Sequence, residues 1–270
     1  MLDHISVEKN LLEFVRTYKD IISDNVRVIF ELGARDCNET LGFHKLFPDA
    51  QIFTFECNPA TLPICREAVQ AIPSIHLIEK AVANRDGIVK FYPIDPTRTE
   101  TSWSNGNPGA SSLFKASGKY PVEKYFQNEI EVEAISLKTF LSASKINQID
   151  LLWMDIQGAE LIALEGLGEW IKRVRLIHLE VEFIEIYGGQ PLYPQIAAFL
   201  KKNGFVFVKF TYESSYSGDV IFANRRYFRN VWELGRLVGS NWLRQVWQSF
   251  RRRVKHIRSV YAQNANLPHA

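Results

Sequence analysis

Short apolar runs alternate with segments of helical periodicity along most of the chain. Runs rich in β-branched and aromatic residues predict core strands over 26–32, 51–56, 75–82, 149–155 and 174–183. Between them, apolar residues three and four positions apart predict helices over 38–47, 59–71, 136–144 and 159–167, and another from Pro191 to the Asn203-Gly204 pair. Two further strands, 205–212 and 219–225, flank a tight Ser217-Gly218 turn. This order predicts a doubly wound α/β fold: a seven-stranded, mostly parallel sheet with an antiparallel edge strand.

Other segments add to this frame. A helix is expected over 6–20, a hairpin-like extra strand over 88–94 after Asp86-Gly87, and an alternating strand over 129–135. Residues 95–128, called the insert below, are rich in Ser, Thr, Asn, Gly and Pro. The insert is interpreted either as a lid and acceptor wall, with Trp103, Ser111 and Ser112 as its candidate residues, or as a disordered loop.

Composition excludes several classes of protein. Of the 270 residues, 46% are hydrophobic and 23% charged, which is enough for a full core and unlike a disordered chain. Three cysteines without framework spacing indicate reduced thiols, hence a cytoplasmic protein. No run of 18 apolar residues occurs, and the first residues do not resemble a signal peptide, so neither a spanning helix nor secretion is expected.

Charge divides the chain into two parts. Residues 225–270 hold ten basic residues and one acidic residue, leaving 22 basic and 29 acidic residues in 1–224. We therefore expect a catalytic domain over 1–224 and a basic amphipathic helical tail over 225–270. Three roles stay open for the tail: docking on the body or on a second subunit as a homodimer, peripheral contact with an anionic membrane through 225–261, or contact with an anionic polymer or carrier. The acidic body predicts no nucleic-acid partner.

The ends of the first two strands carry candidate cofactor contacts. Strand one runs into Glu31, Gly33, Ala34, Arg35 and Asp36, and strand two ends at Glu56-Cys57. Glu56 follows Gly33 by 23 residues, close to the spacing of a carboxylate that holds a ribose diol. A pyrophosphate would need several glycines in the loop, whereas only Gly33 is present. The loop therefore favours S-adenosylmethionine over a dinucleotide as the cofactor. The alternative interpretation is an ordinary strand-to-helix turn that binds no cofactor.

Ionisable residues also follow strands four and five. Asp155 comes directly after an apolar strand, where it either caps the next helix or faces the reacting groups. Alternation places His178, Glu180 and Glu182 on one face of strand five. Asp155, Glu180 and Glu182 are candidate general bases, and His178 is either a reserve base or a core histidine. Paired carboxylates also leave a divalent cation such as magnesium open, with no metal ligands assigned.

These pieces resemble the FkbM family of S-adenosylmethionine-dependent methyltransferases. The resemblance is carried over roughly 26–222 by ELGARD (31–36), FTFECNP (53–59), EKAVANRDGIVKFY (79–92), ASSLF (110–114), EVEAISLKTFL (131–141), IDLLWMDIQGAELIALEGL (149–167) and LEVEF (179–183). It implies a class I methyltransferase that methylates a hydroxyl of a sugar, glycan or secondary metabolite. It also implies site roles: Glu31 and Gly33 in the cofactor loop, Glu56 on the ribose, Ala81 and Val82 near adenine, and Asp155 with Gly158 beside the active centre.

Three residues depart from the family's pattern. Arg35 and Cys37 stand where the family often has Asn and a later Gly, and Gln157 stands where it often has Glu. Gln157, a further candidate cofactor contact, thus has no acid/base role. The departures leave a second hypothesis open, a non-catalytic methyltransferase-like module that recruits partners or a membrane through its tail. A nicotinamide-dependent oxidoreductase is disfavoured by the single glycine.

Overall fold

The structure is a computed structural model and describes residues 26–227. The predicted helix over 6–20 and nearly all of the predicted basic tail lie outside the described residues. The division into 1–224 and 225–270 therefore stays a prediction.

Ten strands and five α-helices make up the described part of the chain. The strands are β1 (Val28–Leu32), β2 (Gln51–Phe55), β3 (Ile75–Ile78), β4 (Ala81–Ala83), β5 (Gly87–Phe91), β6 (Ile130–Ser136), β7 (Ile149–Met154), β8 (Val174–Glu182), β9 (Phe205–Glu213) and β10 (Ser217–Asn224). The helices are α1 (Asn38–Leu46), α2 (Leu62–Val69), α3 (Leu137–Ala143), α4 (Glu160–Glu165) and α5 (Tyr193–Lys202). Short 3₁₀ turns cover Pro108–Ala110, Gly168–Arg173 and Arg225–Tyr227.

Seven strands form the main sheet in the order β3-β2-β1-β7-β8-β10-β9. All neighbours are parallel except β10, which runs antiparallel to both β8 and β9. The predicted fold class is confirmed, with one refinement. The reversed strand lies one place in from the edge, because the short β9–β10 turn makes those two strands antiparallel neighbours.

A second sheet corrects the predictions for the middle of the chain. The strand expected over 75–82 is interrupted after Ile78, and its last residues form β4 in a three-stranded sheet of order β4-β6-β5. The extra strand expected over 88–94 is present as β5, but its expected hairpin pairing is wrong, since β5 pairs with β6 rather than with the strand before it. The Asp86 carboxylate secures this arrangement by accepting hydrogen bonds from Ser136 N and Thr139 Oγ1, both at 2.7 Å.

The insert is an ordered segment, and the disordered-loop alternative is wrong. An isolated bridge pairs Glu100 with Lys124 across its two arms. Two more bridges, Tyr92 with Ser112 and Ile94 with Gln127, join it to the segment just before it. The Glu123 carboxylate holds the arms together, accepting hydrogen bonds from Thr101 Oγ1, from Asn107 Nδ2 at 2.9 Å and from Tyr125 OH at 2.6 Å. The insert therefore has a defined shape.

The main sheet changes winding direction between β1 and β7, and there the two strand ends nearly touch. Gly33 lies just past β1 with φ +88°, and a Cβ atom on it would overlap the carbonyl oxygen of Asp155. Asp155 N donates to Leu32 O at 3.0 Å, and Gly33 N donates to Phe55 O at 3.0 Å. In open α/β sheets the ligand crevice forms at this switch point, beside the carboxyl ends of the strands.

Replacing Gly33 tests this close approach. We expect Gly33→Ala to lower the free energy of unfolding by about 3 kcal/mol, because both the positive φ and the overlap with the Asp155 carbonyl are unfavourable. Gly204 has the same φ of +88°, but a Cβ atom there would meet no other atom within 4 Å, so it is the matched control. Gly204→Ala should cost about 1 kcal/mol, the backbone penalty alone. Equal losses in urea titrations of the two variants would show that the strand ends are not tightly packed.

Candidate functional site

A cavity of about 450 Å³ opens at the carboxyl ends of β1, β2, β7 and β8. The strand ends contribute Gly33, Glu56, Asp155 and Glu180 to its floor, and the insert supplies the opposite wall. The wall residues share aromatic rings or hydrogen-bonding groups: Ser102, Trp103, Asn107, Ser111, Tyr120, Glu123 and Tyr125. One cavity thus joins the predicted cofactor loop to the predicted acceptor wall.

Glu56 lies at the cofactor end of the cavity with a largely buried carboxylate. Its Oε2 accepts a hydrogen bond from Arg35 N at 2.7 Å, and its Oε1 accepts from Cys57 N at 2.8 Å and Asn58 N at 2.7 Å. Burial raises the pKa of Glu56, and these backbone donors oppose the shift by stabilising the charged form. A carboxylate accepts about four hydrogen bonds, so Oε2 keeps room for a further donor such as a ribose hydroxyl.

The loop after β1 is shaped around that carboxylate. Arg35 and Cys37 both have positive φ, 51° and 61°, which turns the Arg35 N–H toward Glu56. Cys65, from α2, donates its thiol to Arg35 O at 3.3 Å and supports the loop from below. The departures at positions 35 and 37 are therefore accommodated by left-handed backbone at two non-glycine residues.

The other predicted cofactor contacts divide into two groups. Cys57, Ala81, Val82, Asp155 and Gln157 line the cavity with Gly33, Arg35 and Glu56. Three other predicted contacts, Glu31, Ala34 and Asp36, are described by the structure but do not line the cavity. Glu31 is buried under the loop, where it accepts hydrogen bonds from Thr40 Oγ1 and from Thr54 Oγ1 at 2.7 Å, and burial raises its pKa well above the usual range. The geometry gives Glu31 a supporting position beneath the loop.

Asp155 and Glu180 come together in the cavity where β7 and β8 end. Gln157 lies between them, and its Nε2 donates to Asp155 Oδ1 and to Glu180 Oε2, each at 2.7 Å. Burial raises the pKa of Glu180 well above the usual range, and the negative charge of Asp155 adds to the shift. A carboxyl with a raised pKa is better matched to accept a proton from an alcohol near neutral pH.

His178 and Glu182 occupy different surroundings from Glu180 on the same strand. The His178 ring stacks on Trp153 at 3.9 Å, and its Nε2 lies 2.9 Å from Thr211 Oγ1. Burial lowers the pKa of His178 to about 3, so the ring is neutral. Glu182 is buried beyond the cavity lining, and its pKa is raised by burial and by the nearby Glu160. The geometry thus favours Glu180 and Asp155 over His178 and Glu182 as bases.

Several residues of this region escaped the sequence reasoning. Asp219 pairs with Glu180 across the β10–β8 register, and burial raises its pKa to about 7. Tyr187, fully buried, reaches Gln157 Oε1 with its hydroxyl at 2.8 Å. Only the pairing of β10 with β8 and the path of the chain after β8 place Asp219 and Tyr187 here, and no local pattern marks these two residues. Glu160, in contrast, follows β7 closely in the sequence; it is buried at the start of α4, where its Oε1 accepts a hydrogen bond from Ile156 N at 3.0 Å.

Metal binding finds no support in this geometry. Within residues 26–227, no three His, Cys, Asp or Glu side chains come together in an arrangement that could hold a metal ion. Between Asp155 and Glu180, where a cation would bridge two carboxylates, the Gln157 amide donates a hydrogen bond to each. Among the described residues, the structure therefore assigns no metal ligand.

Comparison with known proteins identifies the family. The family model described as the methyltransferase FkbM domain matches residues 31–207. The 2-O-methyltransferase NoeI of Sinorhizobium fredii is 30% identical over 208 residues, which cover 69% of this chain and 81% of that protein. This chain belongs to the FkbM methyltransferase family. The predicted S-adenosylmethionine-dependent methyltransferase is thereby confirmed as the class of enzyme.

More distant relatives of this methyltransferase show lower identity. The methyltransferase sdnD of Sordaria araneosa is 23% identical, over 76% of this chain and 86% of that protein. A crystal structure of methyltransferase FkbM from Methylobacillus flagellatus is 9% identical with a TM-score of 0.48, and the match covers 73% of this chain but only 43% of that one. A putative methyltransferase from Streptococcus mutans, solved with S-adenosylhomocysteine, is 11% identical with a TM-score of 0.44, over 78% of this chain and 96% of that one.

The helices of this methyltransferase between residues 26 and 227 are short. None of them is long and apolar enough to cross a bilayer.

The role of Glu56 is open to a direct test. We expect Glu56→Gln to weaken binding of S-adenosylhomocysteine at least tenfold, because an amide NH₂ would replace one of two oxygens that face backbone N–H donors. Titration calorimetry measures the affinity. Glu31→Gln, beneath the same loop but outside the cavity lining, is the control and should alter stability more than affinity. An unchanged affinity in Glu56→Gln would contradict the assignment.

The buried carboxyls predict how stability depends on pH. Burial raises the pKa of Glu160 to about 8 and that of Asp219 to about 7, and it also raises the pKa of Glu182. A carboxyl whose pKa is higher in the folded state stabilises the fold at low pH, and this contribution is lost as pH rises from the unfolded value toward the folded one. The melting temperature should therefore fall between about pH 4.5 and pH 8.

Substitution of one buried carboxyl shows whether such groups cause the fall in melting temperature, rather than the titration of exposed groups. In Glu182→Gln the melting temperature should decline less steeply with pH, and the variant should be more stable than the wild type at pH 8. The reason is that the amide has no proton to lose on unfolding, whereas the Glu182 carboxyl does. The control is Glu133→Gln, an exposed residue paired with Lys80 whose pKa is lowered. Melting curves from pH 5 to pH 8 that are parallel for wild type and Glu182→Gln would contradict the prediction.

Proposed function

We propose that this chain transfers a methyl group from S-adenosylmethionine to a hydroxyl oxygen of a sugar, a glycan or a secondary metabolite. The observation that carries the proposal is the cavity in which Gly33 and Glu56 at one end adjoin Asp155 and Glu180 at the other. The 2-O-methyltransferase named among the relatives supports transfer to oxygen.

The cofactor end of the cavity suits the adenosyl group. The remaining acceptor capacity of Glu56 Oε2 fits a ribose hydroxyl, and the buried Ala81 and Val82 offer an apolar edge for a planar base. Gly33 serves the close packing of β1 against β7, so no glycine-rich cradle for a pyrophosphate is formed in this loop. When bound, S-adenosylmethionine supplies an activated methyl group on a positively charged sulfur.

Asp155 and Glu180 act as the general base in this proposal. The acceptor hydroxyl gives up its proton to one of these carboxylates as its oxygen forms a bond to the methyl carbon and the carbon–sulfur bond breaks. The products are the methyl ether, a protonated carboxyl and neutral S-adenosylhomocysteine. Positioning the reactants and excluding water supply most of the rate enhancement, and the base adds about 10²–10⁴-fold.

The insert forms the acceptor side of the cavity. Trp103, 43% exposed, and Tyr120 present aromatic faces, while Asn107 and Glu123 present polar groups that their mutual hydrogen bond holds in place. Aromatic faces pack against the C–H face of a sugar ring, and amide and carboxylate groups bind its hydroxyls. Of the predicted insert residues, Trp103 and Ser111 line the cavity, whereas Ser112 is buried and donates to Gln157 O at 2.6 Å.

The remaining expectations stay proposals. The boundary at 224/225, the membrane or dimer contact of 225–261 and the cytoplasmic location are supported by composition and charge alone. Membership in a methyltransferase family and the retained carboxylates favour an enzyme over a non-catalytic binding module.

A labelled-methyl transfer assay tests the proposal. Purified protein is incubated with methyl-labelled S-adenosylmethionine and a panel of glycans and hydroxylated metabolites, with magnesium and with a chelator. We expect label in an alkali-stable methyl ether, and we expect Asp155→Asn to keep cofactor affinity while losing most of the turnover, about 10²-fold or more. The matched control is Asp49→Asn, an exposed residue outside the cavity lining, which should retain turnover. Label in a carboxyl ester or an amine, or full turnover in Asp155→Asn, would contradict the proposed chemistry.

A further inference from the structure

Gln157 lines the cavity with a strained backbone and a side chain fixed by hydrogen bonds. Its φ of 54° places it in the left-handed region, which is unfavourable for a residue with a Cβ atom. Four neighbours hold it there. Ser112 Oγ donates to Gln157 O at 2.6 Å, and Tyr187 OH lies 2.8 Å from Gln157 Oε1. Gln157 Nε2 donates to the carboxylates of Asp155 and Glu180, each at 2.7 Å. A conformation of this kind persists only where the surroundings fix it.

We propose that Gln157 is a positioning residue whose side-chain amide holds Asp155 and Glu180 ready to receive the acceptor proton. The inference rests on the proposed function, since it assigns a task within the same reaction. Gln157 itself exchanges no proton. It acts by fixing where the two carboxylates lie, with one amide hydrogen bond to each.

The orientation of the amide follows from its neighbours. Nε2 has two hydrogens, and two carboxylate oxygens lie within hydrogen-bond distance of it. The flipped amide would aim Oε1 at both carboxylates and leave Nε2 facing the Tyr187 hydroxyl. Two hydrogen bonds to charged acceptors outweigh one to a neutral acceptor, so the stated orientation is favoured.

The electrostatic surroundings explain why an uncharged donor belongs at this position. Glu180 is already affected by the charges of Asp155, Glu182, Asp219 and Glu160, all of which raise its pKa. A further carboxylate between Asp155 and Glu180 would bring three acidic groups within hydrogen-bond distance, and a proton would have to be shared among them. The amide instead offers donors to both carboxylates and adds no charge.

Gln157 also connects the carboxylates to the acceptor wall. Ser112 pairs through its backbone with Tyr92, and the Tyr187 hydroxyl lies 2.8 Å from Ala110 O on the insert. The insert therefore contacts the Gln157 backbone directly through Ser112, and it is linked to the Gln157 side chain through Tyr187. One network of hydrogen bonds thus joins the insert, against which the acceptor would lie, to the carboxylates that would take its proton.

The pH profile of methyl transfer separates positioning from a structural role. In Gln157→Glu we expect the acidic limb of kcat/KM to move upward by about 1 pH unit or more, because a third carboxyl competes for the same proton. In Gln157→Asn, whose side chain tolerates the left-handed backbone but is shorter, we expect kcat to fall about tenfold with the limb unmoved. The control is Gln148→Glu, which places the same new carboxyl beside Asp150, away from this cavity. It should leave the limb at its wild-type position.

A second measurement needs no acceptor. The new carboxyl of Gln157→Glu should have a raised pKa in the fold, so this variant should lose stability relative to wild type as pH rises from about 5 to about 8. Gln157→Asn adds no titrating group, and its difference from wild type should stay constant. The inference would be overturned if the acidic limb of kcat/KM in Gln157→Glu coincided with that of the wild type. Where no transfer is detected, stability curves of Gln157→Glu and wild type that stay parallel with pH would overturn it. Absence of S-adenosylhomocysteine binding by the wild type would instead contradict the proposed function and leave the stability comparison to decide this inference.

Discussion

The close approach of the ends of β1 and β7 is the constraint on which the site depends. Gly33 has no side chain to hold the two strands apart, so the backbone of Asp155 lies directly against it. The same crossing fixes where β1 turns into the cofactor loop and where β7 turns toward Gln157. A glycine that resembles part of a cofactor fingerprint thus has its clearest role in packing backbone against backbone.

Burial of acidic groups is the second feature that governs the site. Glu31, Glu160, Glu180, Glu182 and Asp219 all have raised pKa values, with burial as the largest cause in each. Charged groups are unfavourable in such surroundings unless they are paired with donors or cations. These carboxyls lie near the edge of the main sheet where its parallel strands end, and of the five only Glu180 lines the cavity.

The insert forms an ordered wall of the cavity at the open end of the sheet. Its arms are joined by Glu123 and by a short backbone bridge, and it meets the strand ends through Ser112 and Tyr187. An ordered wall needs little rearrangement when an acceptor binds, so less conformational entropy is lost on binding. In the proposed function, the acceptor therefore contacts residues that lie far from the strand-end motifs in sequence.

The sequence by itself determined the order of the main-sheet strands and the helices and the antiparallel pair at the edge, because these follow from local periodicity. It also determined that Glu56 and the acidic residues after strands four and five lie at strand ends, because these residues are adjacent to the strands in the chain. Tertiary structure alone decided the rest. It separated β4 from β3, since pairing with β6 depends on residues about 50 positions away. It placed Glu180 in the cavity and His178 and Glu182 outside its lining, although alternation puts all three on one face. It also brought Asp219 and Tyr187 to Gln157 and Glu180, because the register between distant segments is set by packing of the whole sheet.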